Sequence, residues 1–576
     1  MSRIGPIARQ NRMRLITAGM FTFSVGKRPF NLYDAIPLTD SRKKLISSLP
    51  AGVEWFYLFG GLYLISKYFW ILDDAFIYFR YVDNFLFLDL GLVFNQGEYV
   101  EGFSSPLWII LLALIRATGA SYTFAVKGIA VICFVLFWYM LVRLNKQISP
   151  DKSPIINLPL ACLSLNYGVL CYFSSGVETP LIQLSAAAYA LYIINPSSRI
   201  LQILLAVSPL IRPELAVPFV IAAAWTWIHH KKNPLKMVLL AMLVVGSWMM
   251  FRIYYYADLF PNTFYLKDTI YIKQGLLYLQ DTLKTYHFYF LILAMTPMVA
   301  FLSFKRVELQ CSNRLIMLVI AFFVTAYVVK IGGDARHFRY MAFPFCLSVC
   351  AFAGIVEAFY HILCKNKIRF ILPLTGILVS MVVFYAHPPQ ISRVPVEFDL
   401  GWTFPPVRLE KIRVRYRIMN NIVDATYNRQ KIDLEALSIK NDAVLKFYGE
   451  VKKPFKYRDV NRETWCEKIY KKYMTRRIIH GFGLTDAILG RTRVFSGMAG
   501  HKYSLFPLAD DLVSIHRSRE RIGRGMYREI VEEKKAPEWI TRNLDSIEII
   551  EKKIYNDHDL MENMKLAFRF PDKILP

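Results

Sequence analysis

The sequence predicts a polytopic α-helical membrane protein, with about 11 transmembrane helices, followed by a C-terminal soluble domain of mixed α/β structure. Three observations predict it. Hydrophobic residues make up 55% of the 576 residues and aromatics 15%, and mean hydropathy is +0.32. The apolar residues fall in blocks of roughly 17 to 25 between about 52 and 387, long enough for helices to cross a bilayer. After Pro388 the blocks stop and charged residues become frequent. The chain therefore divides into a basic tail (1–51), a membrane domain (52–387) and a C-terminal domain (388–576).

The first fifty residues carry nine Lys/Arg against two Asp/Glu and no cleavable apolar core. They read as a cytoplasmic tail and not as a secretory signal. The first span is 52–72. Further spans are expected near 122–143, 155–173, 180–195, 199–211, 213–229, 235–256, 285–304, 313–331, 338–360 and 369–387. The piece 107–115 is too short to cross and reads as a helix lying in the outer leaflet. With the N-terminus inside, segments 1–51, 143–152, 196–199, 228–236, 305–314 and 361–369 hold 22 Lys/Arg against 4 Asp/Glu. The opposite segments, 73–103, 174–180, 211–214, 257–268 and 332–339, hold 5 against 11. Lys and Arg are retained on the cytoplasmic side, so this asymmetry puts the acidic loops and 388–576 outside.

Net charge is +26, but the basic residues lie in short loops between apolar blocks. They are not interleaved with stacking aromatics as a single-strand groove requires, so no nucleic-acid partner is expected. Seven of the eight cysteines sit in or beside apolar blocks and Cys466 is alone in the C-terminal part, which excludes a disulfide framework there. No CxxC or Cys/His zinc spacing exists. In the C-terminal domain, 36 Lys/Arg stand beside 26 Asp/Glu. Short strands and turns are expected over 388–410 and 491–515, with helices over 410–440 and 526–570.

The outer loops carry the chemistry. Asp73 and Asp74 stand together where the first span leaves the membrane, a costly position unless a cation or a function compensates. Adjacent carboxylates raise the pKa of one member, which suits a general base or a metal ligand; as a topology signal they would be only an acidic cap. The same loop holds Tyr78, Arg80 and Glu101. Later loops present Glu178 (SSGVETP), Arg212 and Glu214 (IRPE), Asn262 and Lys267 (FPNTFYLK), and Asp334, Arg336, His337 and Arg339 (GGDARHFRY). Arg212, Lys267, Arg336, His337 and Arg339 are the candidate phosphate ligands, arginine through its two-point contact. Tyr78, Arg80, Glu101, Glu178, Glu214, Asn262, Asp334 and His501 are the candidate substrate contacts. Aromatics such as Tyr265 and Tyr340 offer sugar-stacking faces, or interfacial anchors. The one cofactor expectation is a divalent cation at Asp73/Asp74.

The run DDAFIYFRYVDNFL…GLVFN…GEYVEGFSSPLW closely resembles the first outer loop of multi-span GT-C glycosyltransferases. It is most similar to the terminal β-(1→2)-arabinofuranosyltransferases of the actinobacterial envelope and their relatives in other bacteria. GVETP, RPE, PNTFYLK and GGDARHFRY follow in that family's order, and GLTD (483–486) and GHK (500–502) look like its C-terminal motifs. The resemblance runs from about 52 to 510. It implies a GT-C membrane fold in a bacterial inner membrane, a polyprenyl-phosphate sugar donor and a catalytic Asp in the first loop. It also implies a C-terminal domain on the periplasmic or outer side that helps hold an envelope glycan or glycolipid acceptor. The basic tail is not part of the pattern, and Ala335-Arg336-His337 departs from it, which leaves the sugar open between arabinofuranose and other pentoses or hexoses. The expected function is transfer of that sugar. The alternative is a lipid or glycan transporter or flippase, for which charges near span centres and paired broken helices in two halves would be expected.

Overall fold

A computed structural model describes residues 54–66, 69, 71–72, 74–148, 157–267, 270–286, 311–334, 338–363, 445–447, 478–480, 483–493, 506–519 and 522–575. The basic tail, Asp73, Arg336, His337, His501, the expected span 369–387 and nearly all of the expected span 285–304 lie outside the described residues, as does the stretch 388–444.

The described N-terminal part is helical: α1 (54–66), α2 (Ala75–Leu86), α3 (Pro106–Arg116), α4 (Tyr122–Ile148), α5 (Leu158–Ser164), α6 (Tyr167–Phe173), α7 (Thr179–Ile194), α8 (Arg199–Ile211), α9 (Ala216–Ile228), α10 (Leu235–Tyr256), α11 (Asn262–Leu266), α12 (Ile272–Thr285), α13 (Cys311–Lys330) and α14 (Ala342–Leu363). Three described helices, Tyr122–Gln147, Leu235–Tyr256 and Asn313–Lys330, are long and apolar enough to cross a membrane. Large apolar side chains such as Phe124, Met242, Leu243 and Phe322 face outward from them, a surface that suits lipid and not water. Helix α7 is the centre. Its residues Thr179–Ile193 are all buried, and it packs on α4, α14 and α8. The small residues Ala186–Ala188 and Ala190 allow that close approach.

Several expectations change. The expected span 155–173 is two short helices, because Asn166 starts a new one: its side chain accepts from Val169 N at 3.2 Å, and Asn157 does the same for Leu160 N at 3.0 Å. The break expected between the spans 199–211 and 213–229 is present, with Arg212 extended (φ −156°, ψ 136°) ahead of Pro213. The first outer loop is not a loop throughout, for α2 occupies its first third. Helix α12 was not among the expected spans: it carries Lys273, Asp281 and Lys284, so it has no apolar run of membrane length, although it buries Tyr278 and Thr282.

The described C-terminal residues form two short parallel strands, β1 (Leu445–Phe447) and β2 (Ile478–His480), and helices α15 (Ala487–Arg491), α16 (Phe506–Arg517), α17 (Met526–Glu532), α18 (Glu538–Arg542), α19 (Leu544–Ile554) and α20 (Leu560–Ala567). Of the short strands and turns expected over 491–515, residues 506–515 are instead part of helix α16, while 494–505 lie outside the described residues. Leu508, Leu512 and Ile515 are all buried, and their spacing of four and three is a helix face. Val100 of the first loop packs into the same core as Ile488, Leu512 and Ile550, and Tyr99 N donates to Ile554 O at 2.9 Å. The loop and the C-terminal helices thus share one core.

Candidate active site

Two carboxylates stand at helix N-termini without capping them. Asp74 precedes α2 and Glu178 precedes α7, and neither side chain bonds the free N–H groups of its helix. Aspartate at that position ordinarily does. Asp486 and Asp559 behave so, accepting from Leu489 N at 2.8 Å and Glu562 N at 2.7 Å. The cap reading of Asp74 therefore fails, and its carboxylate is spent elsewhere.

It is spent on a shared guanidinium. Arg339 Nη1 lies 2.7 Å from Asp74 Oδ2 and 3.6 Å from Asp334 Oδ2, and Nη2 lies 3.7 Å from Glu178 Oε1. Burial works against the Arg339 charge, but Asp74, Glu178 and Asp334 outweigh it and hold the group well above its ordinary value. Arg212 is 3.5 Å from Glu178 and 2.6 Å from Glu214. Tyr78 Oη donates to Glu178 Oε2 at 3.2 Å. Burial first, then Glu178, pushes that phenol well up, so it acts as a neutral donor. Arg212, Lys267 and Arg339 gather on the Tyr340 ring at 4.3, 5.1 and 5.8 Å from its centroid, within cation–π range. Among the described residues no carboxylate pairs with Lys267, and the Arg339 Nε–H has no acceptor.

The backbone around Arg339 is braced from α12. Gly333 has φ +74°, and a Cβ there would sit 2.4 Å from Tyr278 Cγ. Tyr278 Oη in turn accepts from Tyr340 N at 3.2 Å. Phe338 itself has φ +62°, a conformation uncommon for a bulky residue and costly enough to need such support.

These groups line one solvent-open cavity of about 560 Å³. Eight residues singled out in the sequence meet there: Asp74, Tyr78, Glu178, Arg212, Lys267, Asp334, Arg339 and Tyr340. Five loops far apart in the chain converge on it, as expected if they share one side of a membrane. Ile77, Gly102, Phe103, Ser104, Thr263 and Leu484 complete the wall. Ser104 and Thr263 lie inside quoted motifs but carry no charge or pattern that would single them out.

Other expected residues are placed differently. Arg80 is buried in α2, donates from Nε to Phe94 O at 2.7 Å and lies over the Phe94 ring; it does not line the cavity. Glu214 also stays out and serves Arg212. Glu101 is bound by Arg252 and accepts from Trp248 Nε1 at 3.2 Å, beside a second cavity. Asn262 Nδ2 donates to the carbonyls of Gly483, Leu484 and Asp486 at 2.8, 3.0 and 3.0 Å, clamping the GLTD segment over the site. Asp258, which sequence reasoning passed over, holds Arg491, Lys553 at 3.3 Å and Tyr265 at 2.6 Å. Its basic partners lie 233 and 295 residues away, so no local pattern could have found them. As for the cation at Asp73/Asp74, the described counter-charge of Asp74 is the Arg339 guanidinium. Among the described residues no three His, Cys, Asp or Glu side chains are grouped to share an ion.

No family model and no solved structure matches the chain. A curated relative does, the terminal beta-(1->2)-arabinofuranosyltransferase of Mycobacterium tuberculosis (strain ATCC 25618 / H37Rv), at 27% identity over 328 residues. That stretch is 48% of this chain and 51% of the relative, so the chain spans about half the length of the curated relative it matches. The loop motifs and this relative point the same way: the chain is similar to a terminal beta-(1->2)-arabinofuranosyltransferase.

Proposed function

We propose that the protein is a membrane glycosyltransferase that moves a sugar from a polyprenyl-phosphate to an envelope glycan or glycolipid on the outer side of a bacterial inner membrane. One observation carries this reading: a carboxylate that does not cap its helix, Asp74, lines one open cavity together with a set of cations gathered on a tyrosine ring. A glycosyl transfer needs a base for the acceptor hydroxyl and positive charge where the leaving phosphate develops its negative charge. Asp74 takes the acceptor proton as the new glycosidic bond forms. The sugar–phosphate bond breaks with its electron pair on the phosphate, which Lys267 and the unused Arg339 Nε–H receive. Glu178 and Asp334 hold Arg339 in place, and Phe103 and Tyr340 offer faces for sugar rings. A polyprenyl tail stays among the apolar helices while its phosphate meets the cavity. Arabinofuranose is the first sugar to test, because the curated relative transfers it by name.

The test supplies the purified chain in nanodiscs with polyprenyl-phosphate-arabinofuranose and an arabinan acceptor. Transfer is the expected result, with other lipid-phosphate pentoses and hexoses run beside it. Failure with every lipid-phosphate sugar would sink the reading. Acceleration of lipid exchange between leaflets without transfer would favour a flippase instead. Transfer that persists in a chelator would leave Arg339 as the counter-charge of Asp74, and loss restored by Mg²⁺ would put a cation there.

A further inference from the structure

The last helix of the chain is set against the end of a membrane-length one. Helix α10 has 22 residues, about 33 Å at 1.5 Å per residue, close to the ~30 Å of a hydrocarbon layer. Its final turn, Tyr254–Tyr256, therefore lies near the edge of that layer. Helix α20 and the residues before it bind that turn. Asn563 Nδ2 donates to Tyr254 O at 2.7 Å and Asn556 Nδ2 to Tyr255 O at 3.2 Å. The His558 ring stacks on Tyr255 at 5.0 Å and meets Tyr254 at 5.6 Å.

Helix α20 buries Asn563, Leu566 and Ala567 and leaves the opposite face bare. Met561, Met564 and Phe568, spaced by three and four on one helix stripe, are 61%, 39% and 62% exposed. Leu560 and Phe570 extend the patch, and the exposed Tyr254 and Met250 of α10 continue it onto the span. Charge does not account for this surface. Residues 557–573 contain three Lys/Arg and four Asp/Glu, so attraction to anionic headgroups is weak and apolar burial has to carry any membrane contact.

We propose that the Met561–Met564–Phe568 face of α20 lies in the leaflet at the Tyr256 end of α10, as an interfacial helix whose occupant is lipid acyl chain. This rests on the membrane reading of α10. Its consequence is that the C-terminal domain is pinned to the bilayer at a fixed height. Leu484, clamped by Asn262, then meets the cavity at the level where a lipid-borne donor presents its phosphate.

The experiment places Met561→Cys, carrying a polarity-sensitive fluorophore, in full-length protein in phosphatidylcholine nanodiscs, with the identically treated parent protein as blank. Nitroxide lipids should quench the label more strongly when the nitroxide is near the headgroup than near the chain end, and the quenching should not change with salt. A second label at Met242→Cys, on the outward middle of α10, should be quenched best by chain-end nitroxide. If the Met242 label escapes lipid quenching, the membrane reading of α10 falls. If Met242 is quenched and Met561 is not, only the interfacial helix is overturned. Energy transfer between Met561 labels on two copies, without lipid quenching, would assign the face to a second copy and equally overturn it.

Discussion

Two buried ionic clusters lie side by side in this molecule, and they are built on opposite plans. Around Asp258 and Glu101 each carboxylate has its own base in direct contact: Arg252 on Glu101, Arg491 and Lys553 on Asp258. Around Arg339, four carboxylates (Asp74, Glu178, Asp334 and Glu214) share two arginines, while Lys267 pairs with none among the described residues. The matched cluster joins the first loop and α10 to the C-terminal helices. The shared cluster surrounds an open cavity. A matched buried pair is a structural fixture that is costly to break. A shared and unfinished one keeps groups ready to change partners, which is what a reacting site requires.

The sharpest way to break this comparison is to remove one carboxylate oxygen from each cluster. Asp74→Asn keeps size and most hydrogen bonding but removes the base, and loss of about two to four orders of magnitude in transfer rate is expected. Asp258→Asn should leave the rate of the folded enzyme within a small factor of the parent. Transfer assays on nanodisc protein, normalised to folded material, decide it. Near-normal transfer by Asp74→Asn would make that residue a positioning group at most.

The second prediction exchanges the readout. Asp258→Ala strips Arg491 and Lys553 of their shared counter-ion and should lower unfolding stability by about 3–5 kcal/mol, the usual penalty for an uncompensated buried charge. Asp74→Ala should cost far less, because Asp74 is 39% exposed at its side chain and Arg339 keeps two other carboxylates. Denaturant or thermal unfolding in nanodiscs measures both. Equal losses would mean that the two clusters are both structural.

A third, smaller effect concerns the cation without a carboxylate. Lys267→Met should lower kcat/KM for the lipid-phosphate donor by about 10- to 100-fold, the scale of one charged hydrogen bond, and leave acceptor KM unchanged. Titration of donor at fixed acceptor tests it. An effect on the acceptor alone would move the phosphate toward Arg212.

The sequence carried more of the site than of the fold. Asp74, Glu178, Arg212, Lys267, Asp334 and Arg339 were legible because an ionisable residue at the end of an apolar block is expensive, and expense marks function. Helix α10 was legible because its apolar run has the length of a bilayer. The break at Asn166 was not, for an asparagine within a short apolar stretch has no periodic signature, and its cap to Val169 N appears only in three dimensions. Arg80 misled for the opposite reason. It lies within the most specific motif, yet it serves the loop's own backbone at Phe94 O. The Asp258 cluster was invisible, because nothing in a linear chain pairs residue 258 with 491 and 553.

The smallest predicted effect tests the seam between the two clusters. Asp486 caps α15, while its own carbonyl is held by Asn262. Burial, then the nearby Glu98, pushes its carboxyl from 3.8 up to about 7. A folded value above the unfolded one means that the folded state binds the proton more tightly. The associated stability is thus fully present below about 3.8 and is lost progressively as pH rises through about 7. Asparagine caps a helix as well as aspartate does but cannot titrate. Asp486→Asn should therefore match the parent near pH 4 and exceed it at pH 8, by about 1 °C in Tm for each kcal/mol of difference in a chain of this size. The Glu101 carboxyl, raised by burial and by Asp258 against the pull of Arg252, contributes with the same sign in parent and variant and cancels in the comparison. Thermal unfolding of the two proteins at both pH values reads the difference. Parallel curves at pH 4 and 8 would mean that Asp486 is already ionised in the folded protein. The seam would then be held by the Asn262 clamp without any help from its proton.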